Sequence, residues 1–102
     1  MNAQLKKGNL DLCVLALLSR KDRYGYELVS EISAVIDMAE GTIYPLLKRI
    51  KDENLVTTYL EESSEGAPRK YYSITPAGIE RKNALKDEWT RFTEAMNIIL
   101  EG

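Results

Sequence analysis

The chain has 102 residues, 44% of them apolar, which is enough for one domain with a single hydrophobic core. Its formal net charge is −2, whereas a general nucleic-acid binder usually carries an excess of basic residues. It contains no histidine, and Cys13 is its only cysteine, so an internal disulfide is excluded. Without the commonest general base and metal ligand, we expect no enzyme, no metal site and no cofactor.

Two apolar segments near the start of the chain predict two helices. Asn9 suits a helix N-cap, and the leucine-rich run from residue 12 to 18 predicts a helix covered on most sides, with Cys13 as a buried thiol. The run is too short to cross a bilayer, and Asp11 interrupts it, so we expect neither a membrane span nor a signal peptide, and a cytoplasmic location. A second helix should begin near Tyr24, because apolar residues then recur at helical spacing, namely Leu28, Val29, Ile32, Val35 and Ile36.

Residues 41–54 predict a third helix with two distinct faces. On a helical wheel its apolar residues share one side, Ile43, Leu46, Leu47 and Ile50. The opposite side carries Gly41, Pro45, Lys48 and Asp52, flanked by Tyr44 and Lys51 on one edge and by Thr42 and Arg49 on the other. A small polar first turn followed by basic residues suits a helix that enters a DNA major groove end-on. Taken alone, an ordinary solvated face explains the pattern as well.

A hairpin is predicted directly after this helix. Leu55–Leu60 is rich in β-branched and aromatic residues, and Arg69–Thr75 alternates in polarity, so both segments predict strands. The polar segment Glu61–Pro68 between them predicts a mobile turn. Two helices, a reading helix and a hairpin follow the order of a winged helix-turn-helix, with the wing at about 55–75.

The last part of the chain predicts one long helix. Thr75 and Pro76 suit its N-cap and first position. From there, large apolar residues alternate at spacings of four and three, the pattern of a heptad seam: Leu85, Trp89, Phe92, Met96 and Ile99. Because no later segment covers this seam, we expect a second copy of the chain to do so. For Trp89, ordinary packing within one chain is the alternative.

Three segments together resemble the PadR family of bacterial transcriptional regulators. They are Tyr24–Leu28 (YGYEL), Gly41–Ile50 (GTIYPLLKRI) and Arg69–Gly78 (RKYYSITPAG), in this order. The resemblance implies a mostly α fold with a small β-hairpin, a winged helix-turn-helix followed by a long C-terminal dimerisation helix. The single C-terminal helix is similar to the compact subgroup of this family.

The resemblance also assigns candidate site residues. Those expected to contact DNA are Tyr24, Gly25, Thr42, Tyr44, Lys48, Arg49, Arg69 and Lys70. Gly25 is costly in a helix, so a close approach is expected there, either by a neighbouring helix or by a DNA phosphate, and the resemblance favours DNA. Those expected at the dimer interface or an effector site are Leu5, Leu12, Leu85, Trp89, Phe92 and Met96.

The resulting hypothesis has residues 1–75 as the DNA-binding domain and residues 76–102 as the dimerisation helix of the same compact unit. Residues 1–23 carry an excess of three positive charges, whereas residues 79–102 carry four bases and five acids, so the expected DNA side is the basic one. The protein is then a homodimeric repressor that binds a double-stranded DNA operator and responds to a small aromatic or hydrophobic effector. The alternative is a winged-helix module for protein interaction or ligand capture without operator binding, which the acidic net charge keeps open.

Overall fold

The computed structural model describes residues 3–102, with the side chains of residues 3–7 and of Glu40 outside the description. The fold consists of four helices and a three-stranded antiparallel sheet in which the last strand is central, in the order β1-β3-β2. This arrangement is the predicted winged helix-turn-helix with a long C-terminal helix. In chain order the elements are α1 Ala3–Arg20, β1 Arg23–Tyr24, α2 Gly25–Ser33, a 3-10 turn Glu40–Thr42, α3 Ile43–Asp52, β2 Val56–Ser63, β3 Gly66–Ile74 and α4 Pro76–Glu101.

One hydrophobic core lies between α1, α2, α3 and the inner face of the sheet. The apolar face predicted for α3 is confirmed, because Ile43, Leu46, Leu47 and Ile50 are all buried. Burying a leucine or isoleucine side chain stabilises a fold by about 1.5–3 kcal/mol, so these four residues hold α3 firmly. The other members of the core are Leu10, Val14, Leu15, Leu18, Leu28, Ile32, Leu55, Val56 and Tyr72.

The boundaries of the first two helices differ from the prediction. α1 begins at Ala3, so Asn9 lies inside the helix and does not cap it. Alanine, glutamine, leucine and lysine precede Asn9, and their high helix propensity extends the helix towards the N-terminus. α2 ends at Ser33, which leaves Val35 exposed beyond it. Cys13 is half-buried against the core, and this burial raises the pKa of its thiol.

Tyr24 lies outside the second helix and forms β1 together with Arg23. The two residues pair with Tyr71 and Tyr72 of β3. The pairing supplies backbone hydrogen bonds that two residues could not make alone. This short strand anchors the start of α2 to the wing, a long-range contact that local sequence patterns do not reveal.

The hairpin is longer than predicted, and the extent predicted for its turn, residues 61–68, was wrong. β2 runs to Ser63 and β3 starts at Gly66, so only two residues remain between the strands. Glu61 pairs with Arg69 and Ser63 with Gly66, which leaves one residue of β2 opposite two of β3. This bulge accommodates Pro68, which has no amide hydrogen for a regular ladder. Backbone pairing therefore extends the wing although its side chains do not pack.

The start of α4 is fixed against the end of α3 and the start of β2. Thr75 caps α4, as predicted, by accepting a hydrogen bond from the Gly78 amide at 3.0 Å. Its hydroxyl also donates to the Asn54 carbonyl at 2.8 Å, and its amide donates to the Leu55 carbonyl at 3.0 Å. Gly78 is buried, and a Cβ atom there would lie 2.2 Å from the Leu55 carbonyl oxygen.

Within residues 3–102, no helix is long and apolar enough to cross a membrane.

We predict that Gly78→Ala destabilises the fold by about 3 kcal/mol, because its methyl group would overlap a backbone carbonyl that cannot move independently. Gly8→Ala is the matched control, since a Cβ at Gly8 meets nothing within 4 Å in α1. Chemical denaturation of both variants measures the difference. A Gly78→Ala protein as stable as the Gly8→Ala protein would contradict the contact.

Candidate nucleic-acid interface

α3 presents the open polar face expected of a reading helix. Gly41, Pro45 and Lys48 are exposed, and the Tyr44 side chain is 51% exposed. Pro45 is the third residue of α3, within the first turn, where its missing amide hydrogen costs no helical hydrogen bond. Thr42 directly precedes α3 and is half-buried. Tyr44 and Lys48, one helical turn apart, are therefore exposed on α3, and Thr42 lies half-buried directly before the helix.

Arg49 is engaged in an ion network instead of standing free on this face. One guanidinium nitrogen lies 2.6 Å from a carboxylate oxygen of Asp11, and the other lies 3.2 Å from Glu53. Asp11 itself is buried in α1, and its hydrogen bond is the main cause that raises the pKa of Arg49. Glu53 also lies 3.4 Å from Arg81 of α4. Arg49 thus links α1, α3 and α4, and we leave it out of the DNA contacts proposed below.

The burial of Arg23 changes the charge distribution that the sequence predicted for residues 1–23. Its side chain is buried, and its guanidinium group donates to the Leu17 and Lys21 carbonyls and to the Glu31 carboxylate, 2.5 Å away. A buried, paired cation adds little to the field at the surface. The positive charge counted for residues 1–23 is therefore partly internal, while Arg20 and Lys21 are exposed.

Three tyrosines form a row across the outer face of the sheet. Tyr24, Tyr71 and Tyr59 stand directly opposite one another on the three strands, with ring centroids 5.5 and 5.6 Å apart. The Arg69 guanidinium lies 4.7 Å from the centroid of the Tyr24 ring. Tyr71 and the buried Tyr72 are neighbours on β3 and lie on opposite faces of the sheet, and strand pairing assembles the row. The row joins the wing to the start of α2.

The wing carries two basic residues in different settings. Arg69 is half-buried over Tyr24 and also lies 3.6 Å from the Glu65 carboxylate. Lys70 is exposed, lies opposite Leu60 in the strand register, and faces the other side of the hairpin from Arg69. The two residues therefore offer different chemistry, a stacked and partly neutralised guanidinium group and a solvated ammonium group.

The wing is also tied to the turn after α1. The Tyr59 hydroxyl donates a hydrogen bond of 2.7 Å to the Asp22 carboxylate. This bond stabilises the protonated phenol and raises the pKa of Tyr59 to about 12. The wing is thus held to both ends of the segment between α1 and α2, by Tyr59 at one end and by β1 at the other.

Gly25 is the first residue of α2 and packs against α3. A Cβ atom there would lie 3.1 Å from Cε1 of the Tyr44 ring. The close approach expected at Gly25 is therefore made by a neighbouring helix. The adjacent Tyr24 amide donates to the Glu27 carboxylate at 3.1 Å, so one of the free amides at the start of α2 already has an internal partner.

The apolar residues predicted as a seam on α4 separate into two groups. Leu85 is half-buried against the chain's own core, so its assignment to an uncovered seam was wrong. The remaining four, Trp89, Phe92, Met96 and Ile99, are exposed, and the rings of Trp89 and Phe92 lie 6.4 Å apart. Leu12 of α1 is half-buried, and the side chain of Leu5 lies outside the described residues.

These features define a class of protein. A reading helix with a buried apolar face and an exposed polar face, followed by a two-stranded wing, is the architecture of a winged-helix DNA-binding regulator. Residues 14–84 match the model of the PadR-like family of transcriptional regulators, and the chain belongs to this family. It is therefore a DNA-binding transcriptional regulator, and members of this family are regulators and not enzymes.

Solved structures resemble the chain over almost its whole length. A PadR-like transcriptional regulator from Bacillus cereus is 38% identical, with a TM-score of 0.86 over 98% of this chain and 99% of that chain. A Streptococcus transcriptional regulator is 36% identical, with a TM-score of 0.87 over 96% of this chain and 98% of that chain. The fold is thus shared in full.

Two curated relatives differ in how much of them the chain covers. An uncharacterised protein X of Lysinibacillus sphaericus is 33% identical over all of this chain and 97% of its own length. The transcriptional regulator YqjI of Escherichia coli is 32% identical over 72% of this chain, which corresponds to 35% of YqjI. The similarity to YqjI therefore extends over about a third of that regulator.

We predict that Arg49→Gln destabilises the fold by about 2 kcal/mol, because it removes the charged partner of the buried Asp11 carboxylate. Arg81→Gln is the control, since its pair with Glu53 is exposed on both sides and should contribute about 0.5 kcal/mol. Denaturant titration of the two variants compares them. Equal losses would show that the buried end of the network contributes no more than the exposed end.

Proposed function

We propose that this protein is a homodimeric transcriptional repressor that binds double-stranded operator DNA and responds to a small aromatic or hydrophobic effector. Residues 1–75 form the DNA-binding part, and residues 76–102 form the dimerisation helix. The observation that carries the proposal is the division of α3 into four buried apolar residues and an exposed face that includes Tyr44 and Lys48. DNA binding places the protein in the cytoplasm.

The DNA surface combines direct reading of bases with attraction to the backbone. Lys48 of α3 and Thr42, directly before this helix, can enter a major groove, where base edges distinguish all four base pairs, and Tyr44 lies at the edge of the same face. Lys70 on the wing, and Arg69 once released from Glu65, approach the backbone or the neighbouring minor groove. Tyr24 lies at the junction between the two, beneath Arg69. A net charge of −2 is compatible with this surface, because Lys48 and Lys70 supply local positive charge.

Dimerisation follows from the apolar surface of α4. Trp89, Phe92, Met96 and Ile99 recur along one side of the helix, and Leu100 extends it, all of them exposed. Contiguous exposed apolar surface of this kind marks an interaction site. A second copy related by a two-fold axis would cover the surface and place two reading helices in successive major grooves, about 34 Å apart.

The same surface supports an effector site. Trp89 and Phe92 place two aromatic rings 6.4 Å apart on the exposed side of α4, and a symmetry mate would repeat them across the interface. A planar apolar molecule could stack between the two copies. Such a ligand would change DNA affinity only as far as it binds better to one relative orientation of the two reading helices than to another.

Protein interaction or ligand capture without operator binding is the second candidate, favoured by the acidic net charge. DNA fragments retained by the purified protein from a random library, followed by a salt titration of the selected fragment, separate the two. Counterion release predicts that affinity for the selected fragment falls steeply with salt. No retention at low salt would favour the second candidate.

We predict that Lys48→Ala lowers affinity for the selected fragment by about 1–3 kcal/mol and reduces discrimination against other sequences, because a base contact is lost. The fold should be unaffected, since Lys48 is exposed. Lys86→Ala, an exposed lysine on α4, is the matched control. Fluorescence anisotropy with labelled fragments measures both properties. Equal affinities for the two variants would remove Lys48 from the reading surface.

We predict that Lys70→Ala weakens binding to selected and random fragments alike, because an ammonium group on the wing attracts phosphates without reading bases. The slope of log affinity against log salt should become shallower by about one unit. Titrations from low to moderate salt measure this slope. Lost discrimination at an unchanged slope would mean that Lys70 reads a base.

We predict that the protein sediments as a dimer and that Ile99→Glu makes it a monomer, because a carboxylate would enter the apolar interface. Ile98→Glu is the matched control, since Ile98 is equally exposed but points away from the seam on the helical wheel. Planar aromatic compounds should quench Trp89 fluorescence in the dimer. A wild-type monomer at micromolar concentration, or fully water-exposed Trp89 emission in a proven dimer, would contradict the interface.

A further inference from the structure

We propose that Gly25 is a positioning residue for DNA binding: its missing side chain seats the Tyr44 ring, so that the Tyr44 hydroxyl is held ready to donate a hydrogen bond to a backbone phosphate. The inference rests on the proposed function and deepens it. It assigns Gly25 a role through Tyr44, in place of direct contact with the DNA.

The first argument is the packing at the start of α2. A Cβ atom on Gly25 would lie 3.1 Å from Cε1 and 3.9 Å from Cδ1 of Tyr44, and 3.8 Å from Cδ1 of Leu47. Carbon atoms pack best at about 3.5–4.0 Å, so any side chain at Gly25 would displace the edge of the Tyr44 ring. Leu47 is buried in the core and limits how α3 could shift in response. Glycine is otherwise unfavourable in a helix, which makes this contact the reason for its presence.

The second argument concerns the competing explanation, a phosphate resting directly on the Gly25 backbone. The Tyr44 ring lies beside the position that a Cβ atom of Gly25 would take, which narrows the approach to this part of α2. In addition, the Glu27 carboxylate accepts the neighbouring Tyr24 amide at 3.1 Å, which puts a negative charge at this end of α2. A negative charge there opposes a phosphate and offsets the attraction of the helix terminus. The start of α2 is therefore better suited to hold the Tyr44 ring than to hold an anion.

The third argument is the position of the Tyr44 side chain. It remains 51% exposed although one ring edge lies beside Gly25, so about half of the side chain is open to a partner. The Tyr44 ring thus lies at the junction between α3 and the start of α2. This junction lies beside the base-reading face, where the sugar-phosphate backbone passes and phosphate contacts set the register of the protein on the duplex.

A double-mutant cycle tests the inference with DNA selected by the wild-type protein. We expect Gly25→Ala and Tyr44→Ala each to lower affinity about tenfold, the effect of one hydrogen bond to a charged group. In the Tyr44→Ala background, Gly25→Ala should cause no further loss, because no ring remains to be displaced. Gly8→Ala is the matched control, since its Cβ would meet nothing within 4 Å.

Tyr44→Phe provides a second measurement that does not depend on how Gly25→Ala folds. It keeps the ring and removes the hydroxyl, so the nuclear Overhauser contacts between the ring protons and the Gly25 α-protons should persist while affinity falls about tenfold for selected and random fragments alike. Unchanged affinity of Tyr44→Phe would overturn the inference.

Two further outcomes separate the inference from the proposed function. Wild-type binding with equal losses from Gly25→Ala in both backgrounds would mean that DNA contacts Gly25 directly, and would overturn the inference alone. Absence of any wild-type binding at low salt would overturn the proposed function and this inference with it.

Discussion

The backbone around Leu55 is the junction on which the geometry of this protein depends. The Leu55 amide donates to the Ile50 carbonyl at the end of α3, and its carbonyl accepts the Thr75 amide at the start of α4. Gly78 rests directly on the same carbonyl. Asn54, just before it, adopts a positive φ of 61°, which turns the chain from the reading helix into the wing. The reading helix, the wing and the long helix therefore meet at Asn54 and Leu55. Backbone contacts at these two residues set the orientation of the three elements relative to one another.

An ion network strengthens the same junction from the other side. Asp11, Arg49, Glu53 and Arg81 connect α1, α3 and α4, with the buried carboxylate of Asp11 at one end and exposed groups at the other. Buried ion pairs add modestly to stability but penalise any arrangement that separates the partners. The network thus favours one position of α3 relative to the two helices that would carry the dimer.

The buried apolar faces determine which side chains lie on the surface. The inner faces of α3 and of the sheet are apolar, so Tyr44 and Lys48 must face outward. Contacts between the rings of Tyr24, Tyr71 and Tyr59 hold the start of α2 and the wing together on the outer face. The sequence suggests that Arg23 and Arg49 could meet DNA, but their guanidinium groups form ion pairs within the chain. Local arrangement, and not the net charge of −2, decides which cations can meet DNA.

The sequence alone determined the helical face of α3, the Thr75 cap and the order of the four helices and the hairpin, because these depend on periodicity and on contacts within a few residues. It could not determine the pairing of Tyr24 with Tyr71, the bulge at Pro68 or the contact of Gly78 with Leu55, since each joins segments that are distant in the chain or depends on backbone geometry. The candidate site shows the same division. The helical wheel predicts that Lys48 faces outward, but it does not reveal that Arg49, the next residue, forms an ion pair with Asp11 of another helix. Periodicity tells which way a side chain points, and only tertiary packing tells what it meets there.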